Sequence, residues 1–170
     1  SVEVTGPMGR KVQARYGILG DERTAVMEMA EASGILLVKA EERDPSRATT
    51  YGVGEMILDA MGRGCRKFLV GIGGSATSEG GTGMLQALGY QIADADGEPI
   101  RPGLLDLDRI VSISAEKVPE ALKECSFHIA CDVKNPLCGE NGAVYIFGPQ
   151  KGVKEEEKQV FDRKLKHFAD

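Results

Sequence analysis

Lys67-Phe68-Leu69-Val70-Gly71-Ile72 is apolar at every position after the first, and it runs straight into Gly73-Gly74-Ser75-Ala76-Thr77-Ser78-Glu79-Gly80-Gly81. A strand with one wet face alternates polar and apolar residues, so an unbroken apolar run predicts a sheet strand buried on both faces. Upstream, Val53, Met56, Ile57, Ala60 and Met61 recur at three- and four-residue spacing, which predicts a helix over 49–64 closed by Gly62 and Gly64. Downstream, a short helix around Met84–Leu88 leads to a strand over 90–93 and a turn at Asp94-Ala95-Asp96-Gly97. Helices alternating with such strands define the α/β class.

The rest of the chain fits that class. Residues 2–18 read as a hairpin around Thr5-Gly6-Pro7-Met8-Gly9, and Thr24–Met29 as a third strand. Arg109–Ser114 reads as a strand, Pro119–Glu124 as a short helix opened by proline, and Phe127–Cys131 as another buried strand ending in Asp132. From Lys154 to Phe168 a helix is expected. Glu155, Glu156 and Glu157 suit its first turn, and Val160, Phe161, Leu165 and Phe168 form its core side. The expectation is therefore one α/β domain over 1–170, a mixed sheet with flanking helices, with 22 glycines serving turns and loops.

A net charge of −5 argues against nucleic acid as a partner, because backbone binding needs concentrated Lys and Arg. Cys65, Cys125, Cys131 and Cys138 lack C-x-x-C spacing and a histidine cluster, so they read as buried reduced thiols of a cytoplasmic protein and not as a zinc site. No run approaches the ~20 apolar residues of a membrane helix. Ser1 leads directly into a strand pattern and the last helical pattern stops unpunctuated at Asp170, which reads as a segment cut from a longer protein.

The loop over 71–81 is the sharpest local signal. Glycines between a buried strand and a helix allow backbone N–H groups to turn around an anion, and Ser75, Thr77 and Ser78 add hydroxyls. A tight crossover needing small residues explains the same glycines. The loop lacks G-x-x-x-x-G-K-S/T, so it is not a Walker A loop. Gly71-x-Gly73-x-x-Ala76 with Asp94 after the next strand does fit a dinucleotide pattern, and that alternative stays open at this level. Asp132 emerges at the carboxyl end of a strand, where ligands of α/β sheets gather. It would serve as an acid or a Mg²⁺ ligand beside the amide of Asn135, or as a plain turn. Phe147-Gly148-Pro149-Gln150-Lys151-Gly152 reads as a loop presenting Lys151 to an anion, or as an ordinary turn. His128 and His167 are the only histidines. His128 reads as a packed structural imidazole, and with no G-x-S-x-G elbow a serine hydrolase is disfavoured.

Taken in order, these blocks resemble the bacterial class I glycerate kinase family. The resemblance rests on Val4-Thr5-Gly6-Pro7-Met8-Gly9, Glu28-Met29-Ala30 with Ser33-Gly34, Thr49-Thr50-Tyr51-Gly52 with Gly54-Glu55, and Gly71 to Thr77. It extends to Ala130-Cys131-Asp132-Val133 with Asn135-Pro136-Leu137, and to Phe147–Gly152. It implies ATP-dependent phosphorylation of D-glycerate, usually to 2-phosphoglycerate, with Mg²⁺. Asp132 would be the base or metal-orienting acid, Gly73, Gly74, Ser75, Ala76 and Thr77 would bind an anionic group, and Asn135 and Lys151 would assist. The resemblance further implies that the chain is the inserted middle segment of a two-domain α/β kinase about twice this length. Its partners would be the N- and C-terminal segments of the same enzyme, with association of further copies left open. Two departures stand out. Thr77-Ser78-Glu79-Gly80-Gly81 replaces a common Thr-Asn-Asp-Gly-Gly, and Arg101-Pro102-Gly103-Leu104-Leu105 replaces a glycine run. A noncatalytic anion-binding or oligomerisation domain is the competing reading of the isolated chain.

Overall fold

The computed structural model describes residues 1–170. A two-stranded hairpin, β1 (Val2–Thr5) and β2 (Lys11–Ala14), packs beside a four-stranded sheet of order β3-β4-β5-β8. In that sheet β3 (Tyr16–Ile18) runs antiparallel to β4 (Thr24–Glu28), while β5 (Lys67–Gly71) and β8 (Ser126–Ala130) continue it in parallel. The sheet is thus mixed, as the sequence predicts. The hairpin reading of residues 2–18 holds as far as Ala14, and Tyr16–Ile18 crosses into the larger sheet.

The crossover between β4 and β5 contains α1 (Ala30–Ser33) and α2 (Tyr51–Gly62). Val53, Met56, Ile57, Ala60 and Met61 of α2 are all buried against Ala25, Met27, Phe68 and Val70 of the sheet, in one cluster. Between β5 and β8 the chain forms α3 (Thr82–Ala87) and a separate antiparallel pair, β6 (Gln91–Ala93) and β7 (Ser112–Ser114). After β8 come α4 (Ala143–Lys151) and α5 (Lys158–Ala169). Ile92, Ile100, Leu104, Leu107, Val144, Phe161 and Leu165 build a second cluster around these elements. No helix is long and apolar enough to cross a membrane.

Several expectations are corrected. β5 is buried on one face only: Phe68 and Val70 are covered, but Leu69 is 43% exposed. β8 is exposed throughout, with Ile129 54% exposed and Phe127 held by stacking on Phe68, its register partner, at 4.9 Å. The physical reason is topological. Parallel strands need a layer on both faces; this chain supplies one, and β8 is the sheet's outer strand. His128, on β8, is consequently exposed and not packed, and Cys131 just beyond it is an exposed thiol. Cys65 is buried, Cys125 and Cys138 are half-buried, and all four cysteines are free. The helix expected at 119–124 is a 3₁₀ turn, Glu120–Glu124 capped by Pro119, and the strand expected at 109–114 is reduced to β7. Glu155–Glu157 also form a 3₁₀ turn ahead of α5, on which Val160 faces solvent.

Candidate functional site

The loop after β5 is held by α1. The Ile35 N–H donates to the Gly74 carbonyl and the Ala76 N–H to the Ser33 carbonyl, each at 2.8 Å, with Gly74 at φ +67° to make the turn. Ala76 therefore contributes structure and not a free donor. The N–H groups of Gly73, Gly74, Ser75 and Thr77 have no acceptor within the protein.

Lys151 meets this loop from the end of α4, 76 positions from Ser75 along the chain. Phe147–Gly152 is not a loop: its first five residues are the last turns of α4, and Gly152 stops them at φ +106°. The Gly152 N–H donates to Pro149 O and the Val153 N–H to Gly148 O, the paired bonds of a Schellman ending. That ending fixes Lys151 as the last residue of α4. Its Nζ donates to Ser75 Oγ at 2.8 Å and to the Thr77 carbonyl at 2.5 Å. Lys151 is only 8% exposed. Burial pushes its ammonium down to about 8, with the charge of Glu79 acting in the opposite direction. Both partners are neutral, so a buried cation lacks a contacting counter-ion, an arrangement that is costly unless an anion completes it.

Glu79, whose role the sequence leaves open, is 1% exposed and ties two helices together. Its Oε1 accepts from the Thr50 N–H at 2.8 Å, the Thr50 hydroxyl at 2.5 Å and the Gly83 N–H at 3.3 Å, and its other oxygen accepts from the Gly81 N–H. Thr50 Oγ1 in turn accepts from Met84 N at 2.9 Å. One carboxylate thus satisfies orphan donors at the start of both α2 and α3. Next to it, the Ser78 hydroxyl is buried with no hydrogen-bond partner. The sequence singles Ser78 out only as one hydroxyl among three; a serine flanked by small and glycine residues is the sole hint of its position.

Ser75, Thr77, Ser78 and Glu79 stand at the polar end of a cleft of about 620 Å³ whose remaining wall is largely apolar. Asp132 and Asn135 do not line it. Both are exposed, and the Asn135 amide donates to Asn141 O at 2.9 Å. Asp132 is nevertheless at the same sheet edge: parallel register pairs Gly71 with Ala130 and Glu28 with Gly71, so the loop leaves the sheet with Asp132 on one side and Glu28 on the other. Ser75, Thr77 and Lys151 are therefore brought together, Gly73 and Gly74 begin the same turn, and Asp132 stands at the neighbouring strand end.

The dinucleotide pattern does not survive. No helix follows Ala76 before Thr82, β6 belongs to another sheet, and Asp94 is committed elsewhere. Asp94 Oδ1 accepts from the N–H groups of Asp96 and Glu98 at 3.0 Å, and its second oxygen pairs with Arg109.

The family model described as the glycerate kinase family matches residues 1–170. The chain is 50% identical over 167 residues to the glycerate 2-kinase of Escherichia coli (strain K12), covering 98% of this chain and 44% of that protein. It is 49% identical over 168 residues to the glycerate kinase of Haemophilus influenzae, covering 99% and 44%. A crystal structure from Salmonella typhimurium LT2, described as a glycerate kinase 2, superposes with a TM-score of 0.95 at 46% identity, over 99% of this chain and 46% of the other. The chain thus spans somewhat less than half the length of the relatives it matches. With the match running along all its residues at identities near one half, the chain belongs to the glycerate kinase family.

Proposed function

We propose that this chain supplies part of the cleft in which D-glycerate is phosphorylated by ATP, with 2-phosphoglycerate as the product. On this reading, residues 1–170 form one α/β domain, and segments matching the remainder of the longer relatives complete the site in a cytoplasmic enzyme. The observation that carries it is Lys151: a buried ammonium with only neutral partners, at a loop leaving the carboxyl edge of a parallel sheet.

Phosphoryl transfer asks a protein mainly for positioning and for compensation of charge. Lys151, the Ser75 and Thr77 loop and the free amides of Gly73 and Gly74 hold an anionic group. Asp132 accepts the proton of the attacking hydroxyl as its oxygen bonds to the γ-phosphorus and ADP leaves. No three His, Cys, Asp or Glu side chains gather into a metal cage. Mg²⁺ needs only one or two carboxylates when phosphate oxygens and water complete its shell, so Asp132 fits as a single ligand, where the ion would neutralise triphosphate charge.

The test is ADP release dependent on ATP and glycerate. The 170-residue chain alone should give no turnover, and a chimaera in which it replaces the matched segment of the Escherichia coli relative should be active. An inactive but folded chimaera, or robust turnover by the chain alone, refutes the divided site.

A further inference from the structure

We propose that Arg43 is a positioning residue for Lys151, its guanidinium pinning the final turn of α4 so that the ammonium reaches the loop after β5. This rests on the reading of Lys151 as the cation of the site and names the group that holds it there.

The first argument is that the turn carrying Lys151 is weak by itself. Pro149 lies inside α4 and has no N–H to give the Tyr145 carbonyl, so the helix loses a bond two residues before the lysine. Gly148, just ahead of it, is a poor helix former. The bonds of Gly152 and Val153 satisfy Pro149 O and Gly148 O, and leave the Gln150 carbonyl to be met from outside the helix.

The second argument is what meets it. Arg43 Nη1 donates to Gln150 O at 3.0 Å, at the negative end of the helix dipole, where a cation is favourable. The main chains are close as well: a Cβ on Gly152 would lie 2.7 Å from the Arg43 carbonyl oxygen. Arg43 therefore abuts the residues on either side of Lys151. Its Nε is buried without a hydrogen-bond partner, a cost that an arginine turned to water avoids. This guanidinium is fixed by its packing.

The third argument is that Arg43 stands on a firm support. It closes the 3₁₀ turn Ala40–Glu42 and leads into a tight turn in which Asp44 O accepts from the Arg47 and Ala48 N–H groups at 3.1 and 3.0 Å. The same stretch then runs to Thr50, whose N–H and hydroxyl bind Glu79. One segment thus anchors the loop at both ends, through Lys151 at Ser75 and Thr77, and through Thr50 at Glu79.

The test reads Lys151 itself. In the 170-residue chain its Cε resonance, assigned by its loss in Lys151→Met, is titrated by carbon-13 NMR in Arg43→Met and Arg43→Lys, with folding checked by circular dichroism. The native midpoint is about 8, set by burial against the charge of Glu79 and not by Arg43, so a moved midpoint reports displacement of the ammonium. In Arg43→Met, which loses the guanidinium, it should rise by about one pH unit or more as the ammonium gains water. Arg43→Lys should return it toward the native value. A lower melting temperature with an unmoved midpoint makes Arg43 a structural residue only and overturns the proposal. Should Arg43→Met not fold, Arg43→Gln, too short to reach Gln150 O, is read in its place. In the active chimaera, Arg43→Met should raise the KM of the anionic ligand about threefold or more and add nothing in a Lys151→Met background; effects that multiply overturn it. If Lys151→Met leaves both KM values unchanged, the anion-binding reading falls, while the NMR midpoint still decides whether Arg43 positions the lysine.

Discussion

Lys151 Nζ and Ser75 Oγ, 76 positions apart in the chain, are joined at 2.8 Å, and this bond links the loop of one hydrophobic cluster to the terminal helix turn of the other. The ammonium is held at about 8, down from its ordinary 10.5, chiefly by burial. Between those two values the unfolded chain binds more protons than the folded one, so this group makes stability rise with pH across that window and penalises the fold most below it. The contribution amounts to about 3 kcal/mol at most. Urea unfolding from pH 7 to 10 should show the rise in the native chain and its loss in Lys151→Met, which should be at least as stable as the native chain at pH 7.

Glu79 is a second connection of this kind. Its carboxylate serves Thr50, Gly81 and Gly83 from a site with 1% exposure, so removing it strands several buried donors at once. Glu79→Ala should cost about 3 kcal/mol. Glu79→Gln should cost less, because it keeps the oxygen facing Thr50 but turns an N–H₂ toward the Gly81 N–H. Midpoints of denaturant unfolding rank the three proteins; equal midpoints would remove Glu79 from the framework.

The elements that carry their own periodicity are legible in the sequence. The α2 face of Val53, Met56, Ile57, Ala60 and Met61 is buried as its spacing predicts, and the apolar run over 67–72 does form a parallel strand. What the sequence hides is the absence of a layer. Leu69 and Ile129 are apolar yet 43% and 54% exposed, so an apolar run reads as buried while one face of the strand is open. The site divides along the same line. Local glycine chemistry locates the loop, but only packing brings Lys151 to Ser75, and the Phe147–Gly152 block reads as a loop because a proline and two glycines imitate one. The capping role of Glu79 is equally non-local, since Thr50 lies 29 residues away.

Gly83 and Gly62 should respond in opposite directions to the same substitution. A Cβ on Gly83 would lie 2.2 Å from Thr49 Oγ1 and 2.9 Å from the Tyr51 nitrogen, whereas one on Gly62 meets nothing within 4 Å. Both residues are helical, so alanine offers each the same gain of up to about 1 kcal/mol in propensity. At Gly83 the clash with the α2 start outweighs it, and Gly83→Ala should lose about 2 kcal/mol. Gly62→Ala should gain a few tenths. Thermal melts of the two variants check the pair, and a stabilised Gly83→Ala would mean that α2 and α3 can separate without loss.

Asp132 gives the sharpest separation of function from folding. It is exposed, and its carboxylate accepts no hydrogen bond from the protein, so nothing in the fold depends on its charge. Surface substitutions of that kind change stability by less than about 0.5 kcal/mol, and Asp132→Asn should melt with the native chain. A base that takes the proton of the attacking hydroxyl is worth a factor of about 10² to 10⁴ in turnover, and asparagine, nearly the same size, cannot take it. In the active chimaera, Asp132→Asn should therefore depress kcat by that range while leaving the KM for glycerate within about threefold. The Lys151→Met chimaera should do the reverse, raising the KM of the anionic ligand it holds, glycerate or ATP, more than it lowers kcat. If Asp132→Asn turns over normally, the strand end after β8 is only a turn, and the proton leaves by another route.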